Sequence, residues 1–256
     1  MNLFDAAILG AIEGITEFLP ISSTGHLILA SHLLGIPDSD LLTSFAIAIQ
    51  LGAICAVVAL YWRSFLNLEV LKRLLAGFIP TALIGLLLYS FVKHQLLGNE
   101  MVVVAALALG GVALIVFELL HKEKPDAPEG LTTITYRQAV LVGIAQSVAM
   151  IPGVSRSAAT IMGGLLLGIR RATIVEFSFL LAVPTMGAAV ALDVYKNYTL
   201  FTYDSIATIG VGFVVAFVVA LVAITSLLRF IKKATFIPFG IYRIVVAALF
   251  FFLILY

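Results

Sequence analysis

The sequence predicts an all-α polytopic membrane protein, with six transmembrane helices plus two re-entrant helical hairpins arranged as an inverted-topology repeat. Three observations carry this expectation. Hydrophobic residues make up 62% of the 256 and charged residues only 11%, where a soluble domain carries about 25%. Six apolar stretches are long enough to cross a bilayer, which takes about 20 helical residues. Two further apolar regions are each interrupted near the middle by proline and hydroxyl residues. Such a composition excludes a soluble globular enzyme, a disordered segment and a nucleic-acid-binding module. The net charge of +1 leaves no basic surface for a polyanion. A β-barrel would alternate polarity in short segments instead of keeping long apolar runs. A single cysteine, Cys55, excludes a disulfide framework and a thiolate metal cluster.

Taken in chain order, the first interrupted region covers 3–35 and breaks at Pro20-Ile21-Ser22-Ser23-Thr24. Its opening stretch, 3–20, has no basic leader and carries Glu13 and Glu17, so it is expected to be retained and not cleaved as a signal peptide. Spans follow at 41–62, 74–92 and 101–120. The second interrupted region, 136–168, breaks at Pro152-Gly153-Val154-Ser155-Arg156-Ser157. Spans at 172–192, 205–229 and 237–256 complete a single integral membrane domain, 1–256. Each half of an interrupted region is too short to span. Irregular backbone at membrane depth is tolerated only where protein or water surrounds it, so both regions are expected to be hairpins whose tips meet inside the membrane.

The two regions resemble copies of each other. Gly10 lies three residues before Glu13, and Gly143 three before Gln146; Pro20 precedes Phe45 by 25 residues, as Pro152 precedes Phe177. A downstream glycine, Gly52 or Gly187, follows in each. With three spans between them, the copies (repeat 1 about 1–120, repeat 2 about 136–256) enter from opposite sides, and a site is expected near the midplane between broken helices. The loop charges Arg63, Lys72, Arg73, Lys122, Lys124, Arg170, Arg171, Arg229, Lys232 and Lys233 share one side, which the positive-inside rule makes cytoplasmic; Lys93, Lys196, Asp193 and Asp204 fall on the other. Tyr61, Trp62, Tyr195, Tyr198 and Tyr203 sit at span ends as an interfacial belt.

The chemistry concentrates at the two breaks. Glu13 and Glu17, four apart, share one helix face, and Arg156 stands at the second break. Three ionisable residues at membrane depth cost about 8–10 kcal/mol on insertion scales, so they are expected to face one another, a polar ligand or water. Ser22, Ser23, Thr24, Ser155, Ser157 and Thr160 surround them. Capping a new half-helix is the simplest role for such hydroxyls, but two opposed helix N-termini also make an anion site. Arg156 adds a bidentate fork suited to phosphate. Ser23 and His26, three apart on one helix, form the minimal pairing for an activated nucleophile. The Glu13/Glu17 pair calls for a shared proton or a divalent cation; Mg²⁺ or Ca²⁺ would suit its oxygens. Gln50 is expected to bond between helices or support the site from behind. Glu118, Glu176, Asp193 and Arg243 fall near membrane boundaries, where snorkelling or ion pairing is expected.

The run Glu13-Gly14-Ile15-Thr16-Glu17-Phe18-Leu19-Pro20-Ile21-Ser22-Ser23-Thr24-Gly25-His26-Leu27 resembles the signature of the bacitracin-resistance type undecaprenyl-diphosphatases. Pro152-Gly153-Val154-Ser155-Arg156-Ser157-Ala158-Ala159-Thr160 is similar to that family's second motif. Further similarity covers 45–52, Tyr136-Arg137-Gln138-Ala139, Glu176-Phe177-Ser178-Phe179 and Phe236-Ile237-Pro238-Phe239. The resemblance implies removal of the terminal phosphate from undecaprenyl diphosphate, recycling the lipid carrier for peptidoglycan synthesis and conferring bacitracin resistance. It also implies metal-dependent activity in a bacterial plasma membrane, with the site open to the extracytoplasmic side. By residue, it implies a metal-associated Glu17, Ser23 as nucleophile and Arg156 on phosphate. The partners so expected are the diphosphate lipid and membrane lipids, with no nucleic acid; a homodimer is compatible with the sequence. The rival reading is a transporter or flippase of a phosphorylated lipid, built on the same inverted-repeat site. The serine–histidine pair argues against a pure carrier, because binding needs no nucleophile.

Overall fold

The computed structural model describes residues 1–96, 98–123, 127–197, 203–231 and 234–255, leaving aside the side chains of residues 93, 193, 197, 203–205, 254 and 255. Lys124, Tyr198, Lys232 and Lys233 therefore lie outside the described residues, as do the side chains of Lys93, Asp193, Tyr203 and Asp204.

Among the described residues all regular structure is helical. The helices are α1 (Leu3–Thr16), α2 (Ser23–Leu33), α3 (Asp40–Phe65), α4 (Leu68–Phe91), α5 (Glu100–Leu120), α6 (Tyr136–Gln146), α7 (Arg156–Leu166), α8 (Arg171–Asn197), α9 (Tyr203–Ile231) and α10 (Ile237–Phe250). Polar residues set the starts: the side chains of Asn2, Ser39, Asn67, Asn99 and Thr135 each accept a bond from an otherwise orphaned backbone N–H in the first turn.

Among the described residues five helices, α3, α4, α5, α8 and α9, are long and apolar enough to cross a membrane. The expected sixth span corresponds among the described residues to a shorter apolar helix, Ile237–Leu253, which follows the turn at Phe236 and covers about 25 Å at 1.5 Å per residue. Helices α1, α2, α6 and α7 are shorter again, with 14, 11, 11 and 11 residues.

Packing runs in matched pairs. Helix α1 packs on α9 and α6 on α4; α3 also packs on α9 and α8 on α4; α3 meets α8, and α5 meets α10. Glycine permits close approach in the first two pairs, since a Cβ at Gly10 would strike the Gly212 carbonyl and one at Gly143 the Gly77 carbonyl. Gly52 likewise presses on the Phe213 carbonyl, whereas Gly187 meets nothing within 4 Å. The core gathers around Phe18, Phe177 and Phe179, all fully buried, with the ring of Phe18 edge-on to Phe179 at 5.3 Å.

One end of the bundle collects charge. Glu69 at the start of α4 binds Lys72 (3.0 Å), Arg73 (2.8 Å) and the Tyr136 hydroxyl (3.0 Å). Arg171 at the start of α8 binds Glu118 (2.8 Å) at the end of α5 and lies over the Phe236 ring. The loops expected to share a side are thus drawn together at this end.

Alanine at Gly143 should lower stability by about 1–3 kcal/mol, the usual cost of overpacking. The opposing gain in helix propensity is at most about 1 kcal/mol, and the atom struck is backbone, which has no rotamer to move. Thermal unfolding in detergent checks this, with Gly187→Ala expected to be neutral or slightly stabilising.

Candidate active site

The first break begins at Glu17, whose N–H donates to the Glu13 carbonyl (2.9 Å) as the last act of α1. Pro20 carries no N–H to continue the helix, and a tight turn follows, Ile21 N–H to Leu19 carbonyl (2.8 Å). The second break opens with a tightened turn, Ser147–Met150, and passes through Pro152 and Gly153 (φ 93°). Both end alike. Ser22 (φ 71°) and Ser155 (φ 77°) are the non-glycine residues of positive φ among the described residues, a conformation that costs about 1–3 kcal/mol each. Each caps the helix it precedes: the Ser22 hydroxyl accepts from Gly25 N–H (3.5 Å), and that of Ser155 from Ala158 N–H (3.2 Å). Ser157 does not cap. Its hydroxyl donates to the Leu19 carbonyl (2.7 Å), stitching the second break to the first.

Glu17 is the junction. One carboxylate oxygen accepts from the Ser23 hydroxyl at 2.6 Å and the other from the Arg156 guanidinium at 3.0 Å. Arg156 also donates to the Ser178 carbonyl (2.8 Å) and lies 5.7 Å from the centroid of the Phe18 ring. The Ser178 hydroxyl bonds to Thr160, so Thr160 braces Arg156 from behind through Ser178 and accepts no role at the cavity wall. The Nε of Arg156 is buried without a partner among the described residues.

Glu13, one turn earlier on α1, is fully buried, and neither of its carboxylate oxygens has a hydrogen-bond partner among the described residues. A buried carboxyl in that condition needs a proton or a cation beside it. No group of three or more His, Cys, Asp or Glu side chains gathers among the described residues.

The Ser23 and His26 side chains bond in different directions. The His26 Nδ1 lies 2.7 Å from the Ser22 carbonyl, which can only accept, so this nitrogen carries the proton. Its Nε2 meets the Tyr242 hydroxyl at 2.9 Å, with the two rings parallel. The partner of the Ser23 hydroxyl is Glu17.

A cavity of about 570 Å³ opens on this junction. Glu17, Ser22, Ser23, Thr24, Ser155 and Arg156 line its polar end. From there it follows α4 and α8 past Phe78, Leu86 and Ala189 to Tyr89 and Leu192, at the ends of those helices away from Glu69 and Arg171. Glu13, His26, Ser157 and Thr160 stand behind its wall.

The profile of the family described as Bacitracin resistance protein BacA matches residues 6–249. Relatives named undecaprenyl-diphosphatase include one from Sulfurihydrogenibium sp., 52% identical over 98% of this chain and 99% of its own length. Another from Wolinella succinogenes is 48% identical over 98% of both chains. A third, from Campylobacter jejuni, is 50% identical over 99% of this chain and 95% of its own. The chain belongs to the BacA family.

In this BacA-family chain three groups of residues near the site escaped the sequence reading. Arg243 was expected near a membrane boundary; it is fully buried at the breaks, because α10 begins only six residues earlier and packs inward on α5. Tyr242 beside it reaches His26. The Gln146 amide donates to Thr81 (3.0 Å) and Thr185 (3.1 Å) on the cavity wall, joining α6 to α4 and α8. The repeat offered the one available signal, since it sets Gln146 opposite Glu13.

Removing the Ser157 hydroxyl takes away the bond between the two breaks and leaves the Leu19 carbonyl with the Ile21 N–H alone. Ser157→Ala should therefore lower stability by about 0.5–1.5 kcal/mol, the net worth of one hydrogen bond, read as a lower thermal midpoint of the purified protein.

Proposed function

We propose that this chain hydrolyses undecaprenyl diphosphate to undecaprenyl phosphate and inorganic phosphate, the reaction its relatives are named for. The observation that carries the reading is the chain of contacts Ser23–Glu17–Arg156 at the polar end of a cavity with an apolar wall. A hydroxyl held on a carboxylate has its base in place, and the arginine beside it can hold the group under attack. The apolar wall suits a prenyl chain.

In this mechanism the N-termini of α2 and α7 and the Arg156 fork bind the diphosphate. Glu17 takes the proton as the Ser23 oxygen attacks the terminal phosphorus. The bond to the bridging oxygen breaks, undecaprenyl phosphate leaves, and water then releases phosphate from Ser23. Water attacking directly is the alternative. His26, with its bonds to Ser22 and Tyr242, holds the capping turn that carries Ser23. Ser22, Thr24, Ser155 and Ser157 serve binding: Ser22, Thr24 and Ser155 from the cavity wall, Ser157 through the contact between the breaks.

The two unpartnered oxygens of Glu13 fit a hard divalent cation, Mg²⁺ or Ca²⁺, held by Glu13 and Glu17. Bound there, it would supply positive charge to the carboxylate pair beside the reacting groups.

The proposed setting is a bacterial plasma membrane, with α1–α2 and α6–α7 as re-entrant hairpins in an inverted repeat (about 1–120 and 136–256). The matched packing of α1 on α9 with α6 on α4, and the same strained cap at Ser22 and Ser155, support the repeat. With the charged end cytoplasmic, the cavity opens outward. Dephosphorylation of the lipid there, in competition with bacitracin, accounts for resistance.

Folded Ser23→Ala should turn over prenyl diphosphate at near-background rate while still binding it; capping loss alone would cost only about 0.5–2 kcal/mol of stability. Phosphate release by the purified protein measures this, and a substantial remaining rate makes water the nucleophile. Excess chelator should abolish release by the wild type, and Mg²⁺ or Ca²⁺ should restore it; full turnover in chelator removes the metal from the account.

A further inference from the structure

Arg243 is fully buried, and its side chain forms no salt bridge among the described residues. What it has instead is backbone. Nη1 donates to the carbonyls of Pro20 (3.3 Å) and Val154 (2.8 Å), Nη2 to those of Gly153 (2.9 Å) and Ala106 (2.9 Å), and Nε to that of Leu107 (3.3 Å). A guanidinium has five N–H groups, and here every one is used.

Three of the five acceptors lie in the two breaks. Pro20 stands three residues before Ser23, and Gly153 and Val154 run directly into Ser155 and Arg156. The other two acceptors belong to α5, which gives the guanidinium a fixed support. Space for it is reserved: a Cβ at Gly110 would lie 2.6 Å from the guanidinium carbon, and one at Gly111 would lie 2.6 Å from the Gly240 carbonyl oxygen. The strained turns at Ser22 and Ser155 need something to hold them, and a planar five-donor group spanning both can do so.

We propose that Arg243 is a positioning residue for the reaction, setting the distance between the Ser23 oxygen and the Arg156 guanidinium by holding the carbonyls of both breaks on one cation. The proposal rests on the reading of Ser23 and Arg156 as the reacting site. It makes Arg243 a residue that never touches substrate yet governs rate. Lysine keeps the charge but carries its three N–H on a single atom, so it cannot reach the five carbonyls on both breaks and α5 at once, and the turns are free to shift. A misplacement of about 1 Å between reacting groups costs on the order of 10²-fold in rate.

The test uses the purified full chain in detergent, measuring kcat and KM for a prenyl diphosphate per folded molecule, together with thermal unfolding. Two variants probe the cation: Arg243→Lys, and Gly110→Ala, which displaces the guanidinium without removing it. Ser23→Ala and Arg156→Lys serve as controls. The expected result is a fall in kcat on the order of 10²-fold for Arg243→Lys and a smaller fall for Gly110→Ala, with KM near the wild-type value. Wild-type kcat in either folded variant overturns the proposal, as does a loss carried by KM alone. Failure of both variants to fold also overturns it and assigns Arg243 to stability. If both controls keep full turnover, the reading of the site itself is wrong and the proposal falls with it.

Discussion

Breaking two helices inside an apolar protein frees backbone carbonyls and N–H groups that hydrocarbon cannot solvate, each at a cost of several kcal/mol if left bare. The arrangement of the site follows from meeting that constraint. Ser22 and Ser155 take strained conformations so that their hydroxyls reach the first amides of α2 and α7. Ser157 covers the Leu19 carbonyl, and Arg243 covers three more. Once the turns are held in this way, their polar side chains converge, and Glu17 finds a hydroxyl on one oxygen and a guanidinium on the other.

The same constraint separates the residues that face the cavity from those that hold the wall. Ser23, Glu17 and Arg156 line the cavity, whereas His26 and Thr160 are turned into the protein, each bonded to a group that fixes a neighbour. Thr160 braces the Arg156 guanidinium through Ser178 and bonds the Arg156 carbonyl directly; His26 reaches Ser23 through the Ser22 carbonyl. Replacing either should disturb the geometry of the reacting groups without removing a reacting atom. Glu13 is the exception, a buried carboxyl facing no protein donor among the described residues, and it is the group that most needs a proton or a cation.

Much of this was legible in the sequence where the cause is local. Pro20 and Pro152 mark the breaks because proline cannot donate to a helix, and the hydroxyls after them mark the caps. The spans follow from apolar length, and α10 begins at Ile237 where the sequence places it. Pairings across the fold were not legible. Ser23 and His26 are three apart and share a helix, yet a histidine can also bond back to the carbonyl four residues earlier, and that local bond takes its Nδ1. Ser23 and Glu17 sit on opposite sides of a break, where helical spacing says nothing. Arg243 lies 223 residues from Pro20, and a lone arginine near a span end gives no hint that five carbonyls await it. The Gln146–Thr81–Thr185 contacts depend on α6 meeting α4 and α8 in the same way.

In the proposed reaction the Ser23 oxygen, poised on Glu17, is the atom that attacks. Rapid quenching of the protein with a prenyl diphosphate, followed by mass spectrometry of its peptides, reads this out. Phosphate should be covalently attached to the peptide carrying Ser23 during turnover, and absent from that peptide in Glu17→Gln. Full turnover with no phosphorylated serine at any quench time would contradict it.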